Sequence, residues 1–313
     1  MISSDLYKKE VKWKNSGYRK SKDRAARLLG YGAFGFLFVI LISIFAYILQ
    51  GGATTVTLQI LTTDGNTSYG GIAGAIWGTW ILVGMGLLFS LPPGIFGAMY
   101  LVQSTSNKRI SGTMRLFTDI LTSVPSIVIG LFGYLVLVIY FNFGYSLVAG
   151  GFALSVMMLP YIMRITELSF RNIPREQVQN AYALGADHIR VFSRIYLPQA
   201  SAGIFAGVLL AISIAAGETA QLIYTAGFNP GLPTGFFHSQ VGYLTYMVWT
   251  GINQPSTYSH NIAFISAMVL ILSITALIFV SKYEGSIIRL LRKVFVETPP
   301  KANKEKVKQK KVN

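Results

Sequence analysis

The chain has 313 residues, 52% of them hydrophobic and 12% charged, with a mean hydropathy of +0.50 and a formal net charge of +15 at pH 7. A soluble domain usually carries about twice that charged fraction, so the composition excludes an ordinary water-soluble globule and points to a membrane protein. The sequence contains no cysteine, which excludes disulfides, thiolate catalysis and cysteine metal sites.

In chain order, residues 1–29 are polar and basic and read as part amphipathic helix, part disorder. Apolar runs of at least about 18 residues then occupy 30–49, 72–100, 124–141, 145–163, 202–225 and 261–280. The first has no small-residue cleavage pattern and reads as an uncleaved anchor. Segment 51–71 is uncharged except for Asp64, has turn signals at Asp64-Gly65-Asn66, and reads as an external loop with room for a short strand. The second run would rise about 43 Å against a hydrocarbon core of about 30 Å. Pro92-Pro93-Gly94 is expected to kink or break it near the inner surface. Gly74/Gly78 and Gly203/Gly207 have the G-x-x-x-G spacing that lets helices approach closely. Segment 226–260 is a long external loop. A short interfacial helix is predicted over 240–250, carrying Tyr243, Tyr246 and Trp249 at headgroup level. The tail after the sixth run holds Pro299-Pro300 and a lysine-rich stretch, and reads as disordered near anionic lipid.

Charge orients these runs. The basic residues fall within 8–27, 108–115, 164–194 and 282–311, and none falls within 50–71, 142–144 or 226–260. That alternation is the positive-inside pattern and places both termini in the cytoplasm. It also makes the net positive charge a topology signal and removes the case for nucleic-acid binding.

Enzyme readings find no support. His188, His238 and His260 are scattered without metal-ligand spacing, and there is neither a G-x-S-x-G elbow nor a G-x-x-x-x-G-K-[ST] loop. No catalytic or metal-binding set is predicted, and any ATP dependence must come from another subunit. The informative connection is the cytoplasmic loop 164–200. Pro174 is placed to open a helix, and Val178, Ala181, Tyr182 and Gly185 share one face of it, with Gly185 ending it. Asp187 then caps a second helix, which Pro198 stops before the fifth span. A short amphipathic helix held out by a glycine turn is shaped to enter a groove on a partner. An interfacial helix lying on lipid fits the same spacing.

Beyond spacing, this loop resembles the E-A-A-x3-G-x9-I-x-L-P signature of ABC-importer permeases. Gly185 is followed at the family interval by Ile195 and then Leu197-Pro198, while Gln179-Asn180-Ala181 stands where Glu-Ala-Ala would be. "PPGIFGAMYL", "SVPSIVIGLFGYLVLV", "LPYIMRITELSFRNIP" and "GETAQLIYTAG" are similar to the phosphate-importer permease family, PstA type, and together span about 72–282. A second departure is Ile214, four residues before Glu218, where such permeases often carry Arg.

The resemblance implies an all-α polytopic membrane protein of the cytoplasmic (inner) membrane, with six transmembrane helices and a coupling-helix loop between the fourth and fifth. Its parts would be a basic segment 1–29, a first helix and external loop 30–71, a permease domain 72–282 and a basic tail 283–313. Arg175, Gln179, Asn180, Ala181, Leu184, Gly185, Ala186 and Asp187 are then the expected coupling residues. Glu218, Thr219, Ser213, Ser123, Ser126, Arg164 and Glu167 are the expected pathway residues. The implied partners are a second permease of PstC type, two ATPase subunits holding ATP and Mg, and an extracytoplasmic phosphate-binding protein. No cofactor is expected in this chain. Molybdate, sulfate or phosphonate are alternative substrates, and an ATP-independent channel or structural membrane protein is the alternative from another class.

Glu218 is the residue whose chemistry most needs an account. A carboxylate inside a span is costly and normally faces a bundle interior or a wet cavity. The fifth run holds no Lys or Arg, and at 1.5 Å per residue Glu218 would lie about 10 Å below its outer end. Its expected role is to position a cation of the second permease. An inter-helix hydrogen bond, or a protonated acid, are the other readings.

Overall fold

The computed structural model describes residues 17–65, 70–103 and 108–296, and the chain divides into two compact units at Gly51/Gly52. The first unit is the body of α1 (Gly17–Thr55), whose apolar side chains, such as Phe34, Phe36 and Leu41, are exposed. The predicted anchor 30–49 lies inside this helix. Residues 1–16 and 297–313 fall outside the described residues, as do parts of the two basic ends.

The second unit is a helical bundle. It comprises α2 (Leu58–Thr62), α3 (Ala73–Gln103), α4 (Lys108–Ser123), α5 (Ser126–Tyr140), α6 (Leu147–Arg171), α7 (Arg175–Ala183) and α8 (His188–Ala216). Then come α9 (Ala220–Thr225), α10 (Leu244–Asn253) and α11 (Thr257–Val296). Among the described residues, α1, α3, α6, α8 and α11 are long and apolar enough to cross a membrane, and α4 with α5 forms a sixth candidate bent by 99°.

The third predicted run, 124–141, coincides with α5, and the bend lies at its start, where α4 joins it. Pro125 stands at the bend as the N-cap of α5, because the residue before a proline avoids the helical region and the proline offers no N–H. The second half of α5, Tyr134–Tyr140, is wound as a π-helix. Of the kink or break expected at Pro92-Pro93, the break does not occur: α3 passes through both prolines as one helix. It packs along α6, where Gly86 and Gly94 meet Met158 and Ile162, and a neighbouring helix of this kind is what lets a membrane helix tolerate proline.

The external segments also differ from expectation. Segment 51–71 contains the short helix α2, opened by Thr57 accepting from the Ile60 N–H, and no strand among its described residues. Segment 226–260 contains the helix expected over 240–250, formed as α10. It folds into the bundle, where Val241, Tyr243 and Leu244 are buried, while Trp249 stays exposed. The glycine pairs explain how it fits. A Cβ on Gly74 or Gly78 would lie 2.5 or 2.0 Å from the backbone oxygens of Gly231 or Gly242, so only glycine lets this loop run against α3. Gly203 and Gly207 similarly admit Ser169 and Ile165 of α6. The Leu244 N–H is satisfied by the buried Thr79 hydroxyl at 2.9 Å. At the other end of the chain, α11 continues as helix through Val296, past the expected start of a disordered tail at 283. No glycine after Gly285 and no proline before Pro299 interrupts that run.

Two cores result. One joins Leu82, Leu154, Met158, Ala211, Ala215, Leu222 and Tyr243 across α3, α6, α8, α9 and the folded-in loop. The other joins Met99, Leu101, Met163, Phe170, Val191 and Tyr196 around the C-terminal ends of α3 and α6 and the N-terminal end of α8.

Candidate functional site

The fifth run is not one continuous span. α8 ends at Ala216, Gly217 caps it, and Glu218 and Thr219 form a non-helical step before α9. The carboxylate thus stands at a helix break. Such breaks are accepted at membrane depth where the backbone is buried in protein or lines a cavity. Glu218 is half-buried, its carboxylate beside the Ser126 side chain at the start of α5 and the backbone of Thr219. The folded-in loop closes the other side: the Thr245 hydroxyl in the first turn of α10 donates to the Glu218 carbonyl at 2.7 Å. Among the described residues no Lys or Arg lies within ion-pair distance of Glu218.

The structure divides the seven expected pathway residues into groups. Glu218, Thr219 and Ser126 meet at the break. Ser213 lies over a turn earlier on α8, with its hydroxyl bonded to the Leu209 carbonyl, and Ser123 bonds the Ile120 carbonyl at the end of α4. Arg164 and Glu167 belong to a separate cluster. Glu167 is clamped by Arg115 of α4 at 2.7 Å and by Arg171 at 2.9 Å, and Arg164 faces Asp119 at 3.7 Å. The cluster ties the amphipathic α4 to the end of α6. Arg115 and Asp119 were not singled out from sequence, because nothing local reveals that α4 folds back on α6. Arg171 was legible as the i+4 partner of Glu167.

The expected coupling residues are brought together around one turn. α7 ends with the Gly185 N–H on the Tyr182 carbonyl at 2.9 Å and the Ala186 N–H on the Ala181 carbonyl at 3.0 Å. This is the Schellman arrangement, and Gly185 occupies its left-handed position with φ +81°. Asp187 then caps α8 by accepting from the Arg190 N–H at 2.7 Å. Pro174 precedes the helix as its N-cap, one residue earlier than expected. The apolar face predicted to enter a partner's groove is turned inward instead. Val178, Ala181 and Tyr182 pack on the chain's own inner core, together with Ala186. What the turn presents outward is Arg175, Gln179, Asn180, Gly185 and Asp187 around two strongly exposed apolar residues, Leu184 (89%) and Ile189 (78%).

A bundle with a broken inner helix, a loop folded onto the break and a protruding helix–glycine turn defines a transport-type membrane subunit. The chain belongs to the family of binding-protein-dependent transport system inner membrane components, whose pattern matches residues 90–284. It is 39% identical over 225 residues to the phosphate transport system permease protein PstA 2 of Mycobacterium bovis, covering 72% of this chain and 74% of that one. It is 33% identical over 231 residues to the phosphate transport system permease protein PstA of Yersinia pestis, covering 73% and 78%. The backbone is similar to that of a bacterial alginate ABC transporter solved with an alginate pentasaccharide-bound periplasmic protein, with a TM-score of 0.63, 14% identity and coverage of 86% and 96%. The inward-facing MetNI methionine ABC transporter matches with a TM-score of 0.56 at 18% identity, covering 70% and 96%. At these identities the two structures bear on the fold alone.

Proposed function

We propose that the chain is the membrane-spanning subunit of an ATP-driven importer of inorganic phosphate. The observation that carries this is its 39% and 33% identity, over about three quarters of its length, to phosphate transport permeases. In this reading the pathway is shared with a second permease. ATP and Mg are bound by two ATPase subunits, and phosphate is delivered by an extracytoplasmic binding protein. The positive-inside charge pattern supports cytoplasmic termini and a cytoplasmic α7 turn.

The helix α8 supplies a physical route for coupling. It runs unbroken from His188, beside the α7 turn, to Ala216, beside Glu218. Force applied by an ATPase at Leu184 and Ile189 would move α8 as a rod. That motion would act on the Gly217–Thr219 step, where the carboxylate lies beside Ser126 and the backbone is held by Thr245. A bare phosphate anion would be repelled by an ionised Glu218. The role of Glu218 is to position a cation from the second permease, which fits the absence of a basic partner for it among the described residues.

Affinity purification of the chain from its native membrane tests the reading. A subunit with a Walker A loop and a second permease should co-purify with it. Recovery of the chain with neither would overturn it.

A further inference from the structure

We propose that the cavity between α7 and the inner ends of α3, α6 and α8 is a binding site for a small phosphate-bearing anion. The cavity measures about 410 Å³, and its polar lining comes from Gln103, Arg171, Arg175, Gln179, Tyr182, His188 and Tyr196. This volume lies within the roughly 300–1,000 Å³ typical of small-ligand sites. No aspartate or glutamate is among its lining residues.

The donors suit an oxyanion. Arg175 has no ion-pair partner among the described residues, and it lies close enough to the Tyr196 phenol to interact with it electrostatically. Arg171 gives Nε and one Nη to Glu167, which leaves its other Nη for a ligand. The planar guanidinium fork matches phosphate oxygens in pairs. Tyr182 and His188 hydrogen-bond through the phenol oxygen and Nδ1 at 2.9 Å. Whichever of them donates, the neutral pair keeps one O–H or N–H to offer, and a protonated imidazole adds another. Burial holds the Tyr182 phenol above its ordinary range, so it remains a donor at neutral pH.

This site is separate from the helix break. α8 places about 28 residues, or roughly 42 Å of helix, between His188 and Ala216. Val178 and Tyr182 enter the cavity from the inward face of α7, and the exposed Arg175 and Gln179 of the coupling turn also line it. That the cavity opens to the cytoplasm rests on the orientation proposed above; its chemistry does not. The shared ligand chemistry is a phosphoryl group, whose sources are free phosphate and small phosphomonoesters. Either would let the state of the cytosol reach the turn that couples the chain to its ATPase.

The cysteine-free sequence permits a direct test in the assembled transporter, with partner cysteines replaced. Gln103→Cys puts a thiol on the cavity wall, and its labelling rate is read by mass spectrometry of this chain; Val102→Cys serves as a second probe. Inorganic phosphate or glycerol phosphate at about four times its Kd should slow labelling about fivefold by mass action. Chloride at equal ionic strength should not, and Arg175→Gln and His188→Gln should each weaken the protection. Protection by inorganic phosphate identifies the free ion as ligand, and protection by glycerol phosphate alone identifies a phosphomonoester. The proposal is overturned if neither compound alters labelling, if chloride protects equally, or if both variants remain protected. It is also overturned if assembly with the ATPase blocks labelling without any anion, which would make the cavity a subunit contact. Because no arm reads uptake, failure of the transport reading would be recognised separately.

Discussion

The Thr245 hydroxyl donates to the backbone carbonyl of Glu218 at 2.7 Å, so the segment leading into α10 holds the break between α8 and α9. A broken helix leaves carbonyls without intrahelical partners, and Thr245 satisfies one of them. Thr245→Val keeps the shape and removes the donor. It should cost about 0.5–1.5 kcal/mol of stability and lower uptake at equal expression. A thermal-unfolding comparison with wild type, paired with an uptake assay, checks it; unchanged values in both would show that the bond holds nothing.

Glu218 itself separates two roles. If its carboxylate faces a cation of the second permease, Glu218→Gln strands that cation at a cost of about 3–5 kcal/mol, and uptake should fall more than in Glu218→Asp. A packing role predicts the reverse order, because Gln keeps the reach to Ser126 and Asp shortens it. Uptake by the two variants at matched expression gives the ranking.

Gly185→Val addresses the coupling turn. Its φ of +81° is a conformation that β-branched residues avoid, with a strain of about 1–3 kcal/mol. Nothing lies within 4 Å of an added Cβ, so the effect would be of the backbone and not of a clash. Uptake and stimulated ATP hydrolysis should fall while insertion into the membrane persists. Normal transport by this variant would reduce the loop to a connector.

Glu167→Gln removes the charge that Arg115 and Arg171 share. The two arginines are each about half exposed, so the loss in stability should be modest, about 1 kcal/mol. The local effect should be larger: α4 is released from the end of α6, and hydrogen exchange in 108–123 should quicken relative to α6. Equal exchange in variant and wild type would show that apolar packing alone holds α4.

Much of this arrangement was legible in the residues. Long apolar runs and alternating basic segments announced the spans, since a bilayer rewards uninterrupted apolar length. The Gly185 turn and the Asp187 cap were readable because each depends on neighbours within a few residues. The break at Glu218 was not, because Ala, Gly and Thr around it satisfy the hydropathy of a continuous span as well as that of two helices. The inward burial of Tyr243 was hidden for a related reason: an aromatic residue near the membrane surface has the same signature whether it faces lipid headgroups or the bundle. The inward turn of Val178 and Tyr182 was missed because periodicity identifies an apolar face without identifying what covers it. The Arg115–Glu167 clamp joins residues far apart in sequence, and no spacing rule reaches that far.

ATP-dependent uptake of radiolabelled phosphate tests the central claim most directly. The chain would be reconstituted in proteoliposomes with its co-purifying permease, ATPase and binding protein. The account predicts uptake that requires ATP, is competed by unlabelled phosphate, and is not competed by equimolar molybdate or sulfate. Uptake of phosphate without ATP, or full competition by another oxyanion, would contradict it.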